Sequence, residues 1–233
     1  MDQQTGRTGR TTKGQVGSSS FQALQARLAR AFQAFSDPAA PRTVLIVPSL
    51  SLDQEVLARI TGVHHYEERM LCLLLLLRLP RTRVIYVSSR PIPEPIIDYY
   101  LHLLPGIPAQ HARSRLTLLS CYDGSPVALT AKMLERPRLL QRIRAAIPDP
   151  ALAYMTCFNV TELERTLAVE LGLPIYGCDP DLLSWGSKSG SRKIFREAGV
   201  AMPEGRRTFM GLRLLLMPSS SSGLADLTSS ERS

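Results

Sequence analysis

The sequence predicts an α/β fold: a doubly wound parallel sheet with helices on both faces. Three observations predict it. Short, continuous apolar runs such as Val44-Leu45-Ile46-Val47 and Val84-Ile85-Tyr86-Val87 recur along the chain, and uniform rather than alternating apolarity marks strands buried on both faces. Segments of helical periodicity separate these runs, and repeated β-α units close into parallel sheets through right-handed crossovers. A polar segment rich in Ser, Asn, Asp and Gly follows each run. The chain has 233 residues, 44% hydrophobic and 21% charged, enough for one packed domain, or one domain plus part of a second.

The elements follow in order. Residues 1–20, rich in Gly, Thr, Ser and Gln, lack periodicity and are expected to form a disordered tail. Leu24, Leu28, Ala31 and Phe35 then repeat at helical spacing, so 21–35 should be an amphipathic helix closed by Asp37-Pro38 and Pro41. Residues 21–42 are thus a helix and linker. After the strand at 44–47, Ser51-Leu52-Asp53-Gln54 looks like a capping box for a short helix stopping near Gly62. An apolar helix is expected at 66–79. Its eight-residue run from Met70 to Leu77 falls far below the roughly twenty residues of a membrane span, so it reads as a buried helix.

The second strand is expected at 84–87 and a helix at 95–104. The third strand is placed at 116–120, followed by a helix over 136–147 that tolerates Pro137 in its first turn. The fourth strand is placed at 154–158. Thr161-Glu162-Leu163-Glu164 is a second capping box, opening a helix striped by Leu163, Leu167 and Leu171 and ended by Gly172. Pro174-Ile175-Tyr176-Gly177 is read as a short fifth strand, and the sheet domain as 43–185.

The net charge of +8 first points toward nucleic acid or anionic membrane. Its distribution argues against both. Residues 1–42 hold six Lys/Arg against two acids and 206–233 hold four against two, leaving eighteen basic and sixteen acidic residues in 43–205. Nucleic acid is therefore an unfavoured partner. Four cysteines without a C-x-x-C pair, and no signal-peptide pattern, point to a reducing, cytoplasmic compartment without a metal site.

In open parallel sheets, ligands gather at the carboxyl ends of the strands. Ser49, Ser89, Asp123, Asn159 and Asp179 in the segments after the strands are therefore the substrate-binding candidates. Each also has a plain reading, because the same residue types make turns and helix caps. His64-His65 are adjacent and diverge on a helix, so they read as a turn or helix-start pair. Glu67-Glu68 read as first-turn carboxylates. No residue stands out as catalytic.

The segment Gly186-Ser187-Lys188-Ser189-Gly190-Ser191-Arg192-Lys193 resembles a phosphate loop in composition but fails the Walker spacing, which needs four residues between its glycines. A Ser/Lys-rich helix start would still favour an anion through its free N–H groups, its dipole and Lys188. A capped, solvated helix explains the composition equally well.

From Gly186 through Ala198-Gly199-Val200-Ala201-Met202-Pro203 to Gly205, the chain resembles the entry segment of ATP-grasp ligases, where Gly-Asp/Ser-Lys opens a helix ending in Ala-Gly-Val-x-x-Pro. The preceding β-α array, with Tyr176-Gly177-Cys178-Asp179-Pro180 just upstream, resembles the Rossmann-like pre-ATP-grasp domain of peptide-ligase-like carboxylate–amine ligases. A related region occurs in IQ-motif-containing protein H. The resemblance implies ATP and Mg2+ as cofactors, small carboxylate and amine substrates, and Lys188, with Ser187, Ser189 and Ser191, at the phosphates. It places the start of the ATP-grasp domain at 186–205.

The family pattern should then continue with a second phosphate-binding lysine, a glycine-rich lid and acidic metal ligands. Residues 206–233 instead read as an irregular, serine-rich tail. The expectation is therefore a ligase fragment inactive by itself. The alternative is a non-enzymatic module that binds a ligand or partner along the same sheet edge.

Overall fold

The computed structural model describes residues 12–34 and 36–203. The expectations for 1–11, Phe35 and 204–233 lie outside them. The chain separates into two units, one running to Asp181 and the other from Leu182 onward; each is described by itself.

The first unit is α/β. Its sheet is parallel throughout and has four strands among the described residues, β1 (Arg42–Val47), β2 (Thr82–Ser88), β3 (Leu116–Ser120) and β4 (Ala153–Cys157), in the order β3-β2-β1-β4. The first four of the five runs expected as strands are strands. β1 is buried along its whole length, as a central strand covered on both faces must be.

Alternate strand residues separate two cores. Leu45, Val47, Ile85, Val87 and Met155 pack with helices α5 (Leu129–Leu134), α6 (Pro137–Ala145) and α7 (Glu162–Leu171). Val44, Ile46, Val84 and Tyr86 pack with a 3₁₀ helix (Val63–Arg78) and with α3 (Glu94–His102) and α4 (Ala109–Arg113). Helix α1 (Thr12–Ala34) buries Phe21 in the first of these cores. No helix of the described residues is long and apolar enough to cross a membrane.

The second capping box forms as expected. Thr161 accepts from the Leu163 amide, Glu164 reaches back to the Thr161 amide, and Gly172 closes α7 at φ 68°, a left-handed conformation that only glycine adopts readily.

Several expectations are corrected. Helix α1 begins at Thr12, so 12–20 is helix rather than tail; extending a formed helix costs little per residue compared with starting one. The first capping box does not form. Asp53 caps α2 (Gln54–Ala58) by accepting from the Glu55 amide, while Ser51 is buried and bonded elsewhere. The apolar helix is 3₁₀ rather than α. Leu71, Leu74 and Leu77 are fully buried at three-residue intervals while Cys72 and Leu75 are exposed, as three residues per turn requires. The guanidinium of Arg115 ends this helix by donating to the carbonyls of Leu77, Leu79 and Thr82.

The fifth strand is reduced to one bridge, Met155 to Ile175. Pro174 has no N–H to donate. On the far side the Gln25 carboxamide accepts from the Ile175 amide at 2.8 Å and donates to the carbonyls of Ile175 and Gly177. One side chain of α1 thus stands where another strand would pair, and the edge is closed.

The second unit, as far as it is described, holds α8 (Leu183–Gly186) and α9 (Lys188–Glu197).

Candidate functional site

The strand order reverses beside β1, so the carboxyl ends of β1 and β4 flank the switch point where open parallel sheets bind ligands. The polar residues there chiefly hold one another. Asn159 Oδ1 accepts from the Ser51 amide at 3.0 Å, and its Nδ2 donates to the Ser51 carbonyl at 2.9 Å. The Ser51 hydroxyl donates to Glu164 Oε1, and Ser51 Oγ lies 2.8 Å from Ser49 Oγ. Ser49, fully buried, accepts from the Thr130 amide at 3.1 Å. Glu164 therefore ties the α7 cap to the loop after β1, a link that the capping pattern alone does not reveal. Ser49 and Asn159 are brought together here, and every bond they make is internal to the fold.

A second polar cluster lies at the carboxyl ends of β2 and β3, around Ser89 and Asp123. Fully buried Ser89 donates from its amide and from its hydroxyl to the two carboxylate oxygens of Glu67, both at 2.6 Å. The Lys132 ammonium donates to Ser89 Oγ at 2.9 Å and to the carbonyls of Asp123 and Ser125 at 2.9 and 2.7 Å. Lys132 is only 2% exposed, so these bonds and the nearby carboxylates are what permit a cation there.

Burial pushes the Glu67 carboxyl upward, although the Ser89 bonds pull the other way; burial likewise lowers the Lys132 ammonium. Asp123 is held at about 2, first by hydrogen bonds from Ser125 and then by Arg136, whose guanidinium lies 2.8 Å away. Glu67 is thus a buried strut rather than a first-turn carboxylate facing a helix N-terminus, and the 3₁₀ helix has no acid in its first turn.

Neither Glu67 nor Lys132 is identified as a site residue from sequence, yet both carry a signal: Lys132 sits among Leu129 and Met133 on one helical face, and Glu67 lies between Val63 and Leu71 at four-residue spacing. A charge on an apolar stripe needs a buried partner.

Beside this cluster opens a cavity of about 410 Å³. His64, His65, Glu67 and Glu68 border it from the 3₁₀ helix, and Arg90 borders it from the loop after β2. Ile92 and Ile96 form an apolar wall with neighbouring prolines. The two imidazoles lie with centroids 4.2 Å apart and their planes tilted by 40°, and His65 Nδ1 lies 2.8 Å from Glu68. Burial, then the neighbouring His65 and the Arg90 and Lys132 cations, lowers His64. In the loop after β3, exposed Tyr122 takes a left-handed φ of 54°, a conformation that costs a bulky residue of order 1 kcal/mol or more.

Asp179 stands apart from both clusters. It accepts from Arg165, which also pairs with Glu162 and Asp181. Among the described residues no group of three or more His, Cys, Asp or Glu could hold a metal ion.

In the second unit, Ser187 caps α9, accepting from the Gly190 amide at 3.0 Å and donating to the Ser184 carbonyl at 2.7 Å. Gly190 is required there, because a Cβ would lie 1.9 Å from that carbonyl oxygen. Ser191 donates to the Ser187 carbonyl at 2.8 Å. Lys188 and Ser189 are exposed on the first turn, beside the positive end of the helix dipole.

Two relatives emerge from comparison with known proteins. Over 176 residues the chain is 28% identical to the L-propargylglycine–L-glutamate ligase of Streptantibioticus cattleyicolor, covering 73% of this chain and 36% of the ligase. Over 184 residues it is 29% identical to IQ motif-containing protein H of Danio rerio, covering 72% of this chain and 17% of that protein. This chain is a distant homologue of a ligase. It spans about a third of the ligase's length and about a sixth of the other relative's. No family model matches, and no solved structure matches significantly.

Proposed function

We propose that this chain is the front part of an ATP-grasp ligase-like protein, with a Rossmann-like, doubly wound pre-ATP-grasp domain followed by the start of the nucleotide-binding domain. The observation that carries the reading is the 28% identity, over 176 residues, to a ligase whose name states that it joins two amino acids. In the whole protein the terminal phosphoryl group of ATP passes to a substrate carboxylate, releasing ADP. An amine nitrogen then attacks the acyl phosphate and displaces phosphate. A cytoplasmic setting belongs to the same proposal.

The residues fit this chemistry in part. An exposed Lys188 in the first turn of α9, its helix capped by Ser187, suits one phosphate contact. Ser189 lies on the same turn, and the Ser187 and Ser191 hydroxyls bond within the helix start. A magnesium ion has no matching donor set among the described residues. The chain by itself is accordingly proposed to be inactive and to bind nucleotide weakly.

Titrating Mg-ATP into the chain by calorimetry tests this. The expected result is weak, millimolar-range binding that Lys188→Ala weakens further. Tight saturable binding would overturn the incomplete site, and identical isotherms for both proteins would remove Lys188 from the phosphate role. A non-enzymatic binding module is the second reading. It is favoured by equal similarity to IQ motif-containing protein H, whose name states no reaction.

A further inference from the structure

We propose that the cavity between the 3₁₀ helix and the loop after β2 is a binding site for a small α-amino acid with an apolar side chain. Three features of the cavity correspond to the three parts of such a ligand. The Arg90 guanidinium makes no hydrogen bond or ion pair among the described residues, and its aliphatic stem lies over Gly124, where a Cβ would come 3.0 Å from Arg90 Cδ. It is a planar donor suited to a carboxylate.

Glu68, whose only partner among the described residues is His65 at 2.8 Å, offers the carboxylate that an ammonium needs. Ile92 and Ile96, both half-buried, give the wall against which an apolar side chain would rest. About 410 Å³ suits a ligand of this size. A purely anionic ligand would meet Glu67 and Glu68, and a purely cationic one would meet Arg90; a zwitterion meets one partner of each sign.

The buried cluster acts on this site through position. Glu67 fixes Ser89 by its amide and its hydroxyl, and the Ser89 carbonyl accepts from the Asp123 amide at 2.8 Å. Arg90 is therefore carried on a turn held from three sides. The site lies wholly within the first unit and does not depend on nucleotide binding.

The test uses the whole chain without ATP. L-Leucine, 4-methylpentanoate and 3-methylbutylamine are titrated separately while the imidazole proton resonances of His64 and His65 are followed by NMR. Leucine is expected to shift them saturably, with each truncated analogue binding at least about tenfold more weakly. Arg90→Gln, a change of an exposed side chain, should weaken leucine by about tenfold or more, whereas Arg144→Gln on a remote surface should not. The site is overturned if leucine moves neither histidine at millimolar concentration. It is also overturned if all three ligands bind alike, or if Arg90→Gln binds leucine as the wild type does. Because the measurement omits ATP, a failed nucleotide titration leaves it unaffected.

Discussion

Lys132 shows at the scale of one residue how this fold accommodates charge. Its ammonium is buried and bonded to a serine that is itself bonded to Glu67, so removing the cation leaves a carboxylate without its nearest compensation and two carbonyls without a donor. Lys132→Met should therefore destabilise the protein by about 3 kcal/mol, measured by urea denaturation. Glu67→Gln combined with Lys132→Met should cost clearly less than the sum of the two single changes, because the double variant buries no isolated charge. Additive costs would show that the two charges are not coupled through Ser89. Neither residue was legible as a site from sequence. Periodicity marks which face a residue occupies, whereas the partner that makes burial tolerable comes from another element far along the chain.

Among the elements, what could be read depended on whether the determinants were local. Four strands, the Pro137 helix start, the Thr161–Glu164 cap and the Gly172 end all rest on residues within one turn of each other, and all appear where expected. The Ser51 box failed for a distant reason: Glu164 and Asn159 claim Ser51 from across the switch point. The fifth strand forms a single bridge, and its outer edge is taken by Gln25 from α1, a partner that its own residues do not reveal. Gln25→Ala should speed hydrogen exchange at the Ile175 amide and cost about 1–2 kcal/mol. Unchanged exchange at Ile175 would show that the carboxamide is not what closes this edge.

For the whole molecule, acid should be the weak side. Asp123 has a folded value of about 2 against an ordinary 3.8, so its stabilisation is complete above about pH 4 and is lost as pH falls toward 2. His64 is lowered from 6.5; its folded form prefers to be neutral, so stability also declines as pH drops below that value. Glu67 is raised from 4.5 and works in the opposite sense, its burial costing most above that range and being relieved by protonation. Denaturation midpoints should therefore fall from pH 7 to pH 3, and Asp123→Asn should flatten the part of that decline below pH 4. A parallel decline in the variant would remove Asp123 as a cause.

The winding of the Val63–Arg78 helix has a mechanical consequence. At about 2.0 Å per residue its sixteen residues reach roughly 32 Å, where α winding would reach about 24 Å. The extra reach lets a single rod run from Arg115, which anchors its C-terminal end, to the histidines at the cavity. Each residue also turns the rod by about 120° instead of 100°. Pitch, as much as residue identity, thus determines the direction in which His64 and Glu68 point.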